Sequence, residues 1–256
     1  MLVATSKTRV LVDLGVSERR LKFLLASVGV EPGEIDAVLV THTHGDHFTR
    51  SAAGFCWRHD VPVYSCDANL EHLERRVPRF RRLAEAGLAQ GLDGRPVEVG
   101  DVRVEAFEVP HDAPGVCLGF RLSLGSGRGR RTVAVATDLG HVPDDCLGRF
   151  IDAEVVVLES NHDVDLLHES GRPLDLIDRI EGPSGHLSNA EAAESLAEIV
   201  GRSRAGCVGA VVLAHLSRDC NRPELALSAQ GHLARRSGAP RVWAAEQFEA
   251  GPRVRL

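Results

Sequence analysis

The sequence predicts a layered α/β (α+β) fold, and three observations predict it. Short apolar runs alternate loosely with segments whose apolar residues recur at helical spacing. Hairpin signals, such as the Gly-rich stretch 125–129, lie between some of the runs. Five times over, an apolar run ends and a His or an acidic residue follows at once, where layered α/β proteins commonly carry their sites.

The elements follow in order. Thr8 to Leu14 reads as a strand ending in Asp13 and Gly15, and Ser17 can cap a helix in which Leu21, Leu24, Leu25 and Val28 share a face. Gly29 ends that helix and Glu31-Pro32-Gly33 turns the chain. Ile35 to Val40 is a buried strand. Val61 to Tyr64 is a short one, with Pro62 marking its edge or its start. Asp67 to Leu88 is helical with a break at Pro78, and it carries Arg75, Arg76, Arg79, Arg81 and Arg82, a solvated face or a phosphate contact. Val97 to Val109 forms two strands around Gly100-Asp101. Cys117 to Leu124 and Arg131 to Thr137 form a hairpin. Pro143 to Phe150 is a short helix and Glu154 to Leu158 an apolar strand. A helix capped by Ser188 or Asn189 runs through Ile199. Val208 to Ala214 is a strand, a helix starts at Pro223, and Arg241–Ala245 and Arg253–Leu256 are strand-like.

With 256 residues, no internal repeat and no low-complexity linker, the expectation is one domain over residues 1–256. A hydrophobic share of 43% and a charged share of 26% are those of an ordinary globular protein. The net charge of −6 gives no global support for nucleic-acid binding and leaves room for a local basic patch. Residues 1–7 contain no apolar export segment, and no run is long enough to span a membrane. The six Cys, at 56, 66, 117, 146, 207 and 220, form no C-x-x-C, so the expectation is reduced thiols in a cytoplasmic protein.

The densest chemistry is Val40-Thr41-His42-Thr43-His44-Gly45-Asp46-His47. Three imidazoles and a carboxylate lie within six residues, with Gly45 where a tight turn is cheapest. Such a cluster needs a cation to compensate it. One tetrahedral ion cannot use these four donors together with the distant His and Asp, so two ions sharing ligands are expected. Imidazoles suit Zn²⁺, and the carboxylates also admit Mn²⁺ or Fe²⁺.

This set resembles the metallo-β-lactamase superfamily. The H-x-H-x-D-H motif is His42, His44, Asp46 and His47; the later motifs match His111, Asp138 and His215, and Asp13 matches the first, structural Asp. The resemblance implies a four-layer αβ/βα sandwich, two mixed sheets flanked by helices, with a two-metal site. It implies one ion on His42, His44 and His111, the other on Asp46, His47 and His215, and Asp138 as the bridge. Leu158-Glu159-Ser160-Asn161-His162-Asp163, Gly185-His186-Leu187-Ser188-Asn189 and Ala214-His215-Leu216-Ser217 look like the YycJ/WalJ-type branch, grouped with metal-dependent exonucleases and similar to ribonuclease Z. By that resemblance Asp46, Glu159 and His186 are catalytic, and His162 and Asn221 are expected to meet substrate; Arg172, close in sequence to the His186 segment, is expected to meet a phosphate bidentately. Cys220 stands where the branch usually has Asn. The branch also opens with a strand and a Ser/Gly-rich turn; this chain starts after them, which would leave a sheet edge exposed.

The implied activity is binuclear metal-dependent phosphodiester hydrolysis, as a 5′-to-3′ exonuclease on DNA rather than RNA, using a metal-bridging hydroxide. The alternatives are a small-molecule phosphodiesterase, a thioester or lactone hydrolase, and, from another class, a non-catalytic metal-binding regulatory protein.

Overall fold

The computed structural model describes residues 1–92, 94–125, 127–233, 238–247 and 249–256. Ser126, in the expected hairpin turn, lies outside the described residues. The chain divides into two compact units. One comprises Met1–Ala106, Ala113–Leu118 and Leu124–Gly129, and the other Phe107–Asp112, Gly119–Ser123 and Arg130–Leu256.

The first unit starts with β1 (Leu2–Ala4) and β2 (Arg9–Val12), antiparallel through Leu2↔Leu11. No strand was expected before Thr8, because three residues are too few to show a period. β1 occupies the edge of β2 that was expected to be open. α1 (Glu18–Ser27) starts where Ser17 Oγ accepts from Arg20 N, and it gives way at Gly29, whose φ is +72°. β3 (Ala37–Leu39) is fully buried, as its unbroken apolar run requires of a strand covered on both faces. α2 (Arg50–Arg58) is capped by Thr49, whose hydroxyl accepts from Ala52 N.

β4 (Val63–Ser65) lies inside the sheet, so Pro62 marks the strand's start rather than an edge. α3 (Asp67–Arg76) and α4 (Phe80–Glu85) are separated at Pro78 as expected. β5 (Ala89–Gly91) was not expected, since Ala-Gln-Gly holds no β-branched or aromatic residue. β6 (Val97–Val99) and the start of β7 (Val102–Val109) form a hairpin through Val97↔Val104. Leu11, Val38, Phe55, Leu73, Phe80 and Leu83 are the centre of this unit's core. Each buried side chain of this size contributes roughly 1.5–3 kcal/mol.

β8 (Cys117–Leu124) leads to the second unit's β9 (Arg131–Ala136), α5 (Asp144–Leu147), β10 (Val155–Glu159), α6 (Val164–His168), α7 (Leu174–Glu181), α8 (Asn189–Arg202), β11 (Ala210–Ala214), α9 (Pro223–Ala229) and β12 (Arg241–Ala244). α6 and α7 were not expected. Residues 253–256, expected as a strand, form none; they pair with no strand among the described residues. Ser188 caps α8, and Glu191 returns the bond in a capping box.

Among the described residues the strands form two sheets, β1-β2-β3-β4-β5 and β12-β11-β10-β9-β8-β7-β6. Each contains parallel and antiparallel pairs, so both are mixed, and helices flank them as expected. What matters for function is the parallel register Leu158↔Ala136 and Glu159↔Ala214. It brings Asp138, Glu159 and His215 side by side at the carboxyl ends of β9, β10 and β11.

Candidate functional site

In the first unit the donors come from one loop. After β3 the chain turns over Thr41 to His47, with Asp13 behind it. Asp13 accepts from Thr41 N at 2.8 Å, from Thr41 Oγ1 at 2.9 Å and from His47 Nδ1 at 2.8 Å. An ionised carboxylate has no hydrogen to give, so the imidazole hydrogen sits on Nδ1. His47 Nε2 is thereby offered as a ligand atom, 3.8 Å from Asp46 Oδ2. His42 is fully buried, and its Nε2 lies 2.9 Å from His44 Nδ1. Asp46, by contrast, is 67% exposed.

Gly45 does not use a left-handed conformation; Gly15 is the glycine this loop needs. A Cβ there would lie 1.5 Å from the Asp46 carbonyl oxygen, so only glycine lets the loop close. Thr41, which sequence reasoning passed over, holds the loop on Asp13, and the buried Asn69 braces it by donating to the Thr41 and Val116 carbonyls. The signal for Thr41 was its place between strand and motif.

In the second unit the donors come from five separate segments, and Glu159 is their hub. It is fully buried. Its Oε1 accepts from His186 Nδ1 at 2.9 Å and from His215 Nδ1 at 2.7 Å. Its Oε2 accepts from the backbone N–H groups of Leu139 at 3.0 Å and Leu187 at 3.2 Å. Burial opposes charge on this carboxyl. The hydrogen bonds and positive charge of the two imidazoles outweigh it and hold Glu159 well below the usual carboxylate range. Burial likewise opposes charge on His186, but Glu159 and Asp138 raise its proton affinity above the ordinary histidine value. With Nδ1 occupied, His215 turns Nε2 to Asp138 Oδ1 at 3.4 Å. His111 donates Nδ1 to the Gly185 carbonyl at 3.0 Å, and its Nε2 lies 3.9 Å from the same Asp138 oxygen.

The loop that carries His186 is packed tightly. A Cβ on Gly185 would lie 2.1 Å from the Ile180 carbonyl oxygen, and one on Gly140 would lie 2.4 Å from Pro183 C. Three site residues also sit in left-handed backbone: Asp13 at φ +58°, Asp138 at +60° and His215 at +56°. Such conformations cost of order 1–2 kcal/mol each and recur where function over-determines the backbone. No residue pattern announces them.

The donors suit a divalent cation. An imidazole nitrogen and a carboxylate oxygen 3.4 Å apart, as in His215 and Asp138, are separated by roughly the edge of a tetrahedron with arms of about 2.0–2.1 Å. Donor atoms of Asp138, Glu159, His186 and His215 all lie within 4.8 Å of one another. In each unit a carboxylate orients a histidine from the ring nitrogen opposite the one left available as a ligand, Asp13 for His47 and Glu159 for His215.

The three residues expected to meet substrate are placed differently. Asn221 is buried, and its amide donates to the Ser160 and Asn161 carbonyls and pairs with Asn189, so it braces the ends of β10 and α8. Asn161, also missed, donates to the His215 carbonyl at 2.9 Å. Arg172 is tied to Asp219 and to Cys220 Sγ. His162 is buried, and neither ring nitrogen has a hydrogen-bond partner among the described residues. Burial lowers its proton affinity.

Comparison with known proteins places this geometry. The beta-lactamase superfamily domain matches residues 8–215. The exodeoxyribonuclease YycJ of Bacillus anthracis is 30% identical over 230 residues, covering 88% of this chain and 81% of the relative. Among solved structures, the metallo-beta-lactamase fold protein YhfI from Bacillus subtilis superposes with a TM-score of 0.64 at 19% identity, over 96% of this chain and 87% of that one. Zn(2+)-bound PqqB from Methylobacterium extorquens gives a TM-score of 0.70 at 17% identity, over 100% and 86%. These two likenesses are of fold. No helix among the described residues is long and apolar enough to cross a membrane. The chain belongs to the β-lactamase superfamily, with the metallo-β-lactamase fold, and is a metal-dependent hydrolase related to the YycJ/WalJ exonucleases.

Proposed function

We propose that the chain hydrolyses phosphodiesters with a pair of divalent ions, and that it acts in the cytoplasm on DNA as a 5′-to-3′ exonuclease. The observation that carries this reading is the Glu159–His186 pair. A fully buried carboxylate, fixed by two backbone N–H groups, holds an imidazole in place and favours its charged form. Phosphodiester cleavage builds negative charge on the phosphoryl and leaving oxygens. A positioned imidazolium answers that charge and can give the leaving oxygen a proton from Nε2. The name of the YycJ relative supports DNA as the substrate.

The ligand assignment follows the motif order of the family over a single domain, residues 1–256: His42, His44 and His111 for one ion, Asp46, His47 and His215 for the other, Asp138 for both. Zn²⁺ or Mn²⁺ fits these donors and Fe²⁺ is admitted. When bound, the ions supply a hydroxide near neutral pH and offset charge on the phosphoryl group. Asp46 holds the attacking water by a hydrogen bond. Asp13 and Glu159 keep His47 and His215 turned the right way.

The test is hydrolysis of end-labelled double-stranded DNA with Mn²⁺ or Zn²⁺, beside Asp46→Ala and His186→Ala. The reading expects progressive loss from the 5′ end, none with Asp46→Ala, and a rate about 10²–10⁴-fold lower with His186→Ala while metal is retained. An unchanged rate of DNA cleavage in His186→Ala would overturn it. Activity on thioesters alone, indifferent to that substitution, would move the protein to carbonyl chemistry.

A further inference from the structure

The helices of the first unit carry a charge excess that the catalytic chemistry does not use. α1 bears three Arg and Lys and α2, α3 and α4 two each, against one acidic residue on α1, three on α3 and one on α4. This surplus stands in a chain whose net charge is −6. Arg79 joins it from the turn between α3 and α4.

At one point the surplus is focused. Gly54, in the middle of α2, has no side chain, and the tips of two guanidinium groups occupy the space over it. A Cβ on Gly54 would lie 2.9 Å from Arg79 Nη1 and 3.3 Å from Arg58 Nη1. Arg58 is held from behind by an ion pair with Glu18. Arg79 is exposed and has no acidic partner among the described residues. Two guanidiniums brought together over a bare helix, of which only Arg58 has a carboxylate partner among the described residues, make a fork for an anion of phosphate shape. Trp57, one turn on from Gly54 in the same helix, is 42% exposed.

The fork has a defined relation to the metal loop. α2 begins at Arg50, three residues after His47, and Arg50 is itself exposed. At 1.5 Å per residue, Arg58 lies roughly 12 Å further along the helix axis. A strand rising about 3.4 Å per nucleotide covers that length in three to four nucleotides.

We infer that Arg58 and Arg79, converging over Gly54, form a phosphate subsite for the nucleic-acid strand, outside the metal loop and leading from it along α2. The inference rests on the nucleic-acid reading above. Its ligand is a backbone phosphate several nucleotides from the scissile bond, so small phosphodiesters do not reach it.

Two variants test it, Arg79→Ala and Gly54→Ala. The second is informative because alanine favours the helix while its methyl group pushes the two tips apart, so the variant folds at least as well as the parent. The metal-loaded full chain is assayed on a 5′-labelled 20-nucleotide single strand and on bis(p-nitrophenyl) phosphate. Both variants should raise KM for the oligonucleotide three- to tenfold with kcat unchanged. Arg79→Ala should lower the slope of log affinity against log salt by about 0.7. Hydrolysis of bis(p-nitrophenyl) phosphate should not change, and Gly54→Ala should melt no lower than the parent. An unchanged oligonucleotide KM and salt slope in both variants overturns the subsite while leaving the hydrolase reading intact. A parent protein that cleaves bis(p-nitrophenyl) phosphate and neither binds nor cleaves the oligonucleotide overturns the subsite and narrows the reading to small substrates. A parent inactive on both substrates with Zn²⁺ and Mn²⁺ sinks the phosphodiesterase reading itself; parent affinity for the oligonucleotide that is lost in both variants would still uphold the subsite.

Discussion

The two units supply donors of the same chemistry by opposite means. In the first, four donors come from six consecutive residues, so chain connectivity does most of the positioning, and Asp13 adds three hydrogen bonds from behind. In the second, His111, Asp138, Glu159, His186 and His215 come from five segments spread over more than a hundred residues. Their meeting depends on the parallel register of β9, β10 and β11 and on the four bonds into the Glu159 carboxylate. A local motif survives the loss of one support, whereas an assembled cluster fails when its hub is removed.

The largest effect should therefore come from Glu159→Gln. The amide keeps the shape and turns a hydrogen-bearing nitrogen toward groups that donate, leaving bonds unmade in a fully buried place. A loss of about 3–5 kcal/mol of stability in urea unfolding, and of about 100-fold in kcat/KM, is expected. Asp13→Asn should do less. It keeps one accepting oxygen and tolerates the left-handed backbone, so about 1–3 kcal/mol and about tenfold in metal affinity by calorimetry are expected. Equal losses in the two variants would break the contrast between the units. Arg172→Ala should do least. Its partner Asp219 is 76% exposed, so less than about 1 kcal/mol is expected. An unchanged KM for DNA would fix Arg172 as a tether; a raised KM would restore it as a substrate contact.

These contrasts also explain what could be read from the sequence. His42, His44, Asp46 and His47 announce themselves because their spacing is itself the geometry. Asp138, Glu159 and His215 were visible as polar residues ending apolar strands, but only the register of three parallel strands puts them side by side. Asn221 was named through the resemblance alone, and its sequence neighbours do not show that its amide bonds run to Ser160, Asn161 and Asn189. β1 and β5 were missed because three-residue strands show no period, and α6 and α7 because they are short and flanked by turn residues. Gly15 and Gly54 were invisible in their roles, since each matters for what another segment places against it.

The left-handed backbone at Asp13, Asp138 and His215 has a consequence for how this enzyme can be lost. Asn, Asp and His are the residues other than glycine most at ease in that conformation. Asp and His codons each become Asn by one nucleotide change. At Asp138 and His215 one of the single-step mutational neighbours is thus a residue that suits the backbone and lacks the ligand chemistry. A gene duplicate relieved of its catalytic duty can slide into a folded, inactive descendant by single steps, with little selection from folding to hold it back.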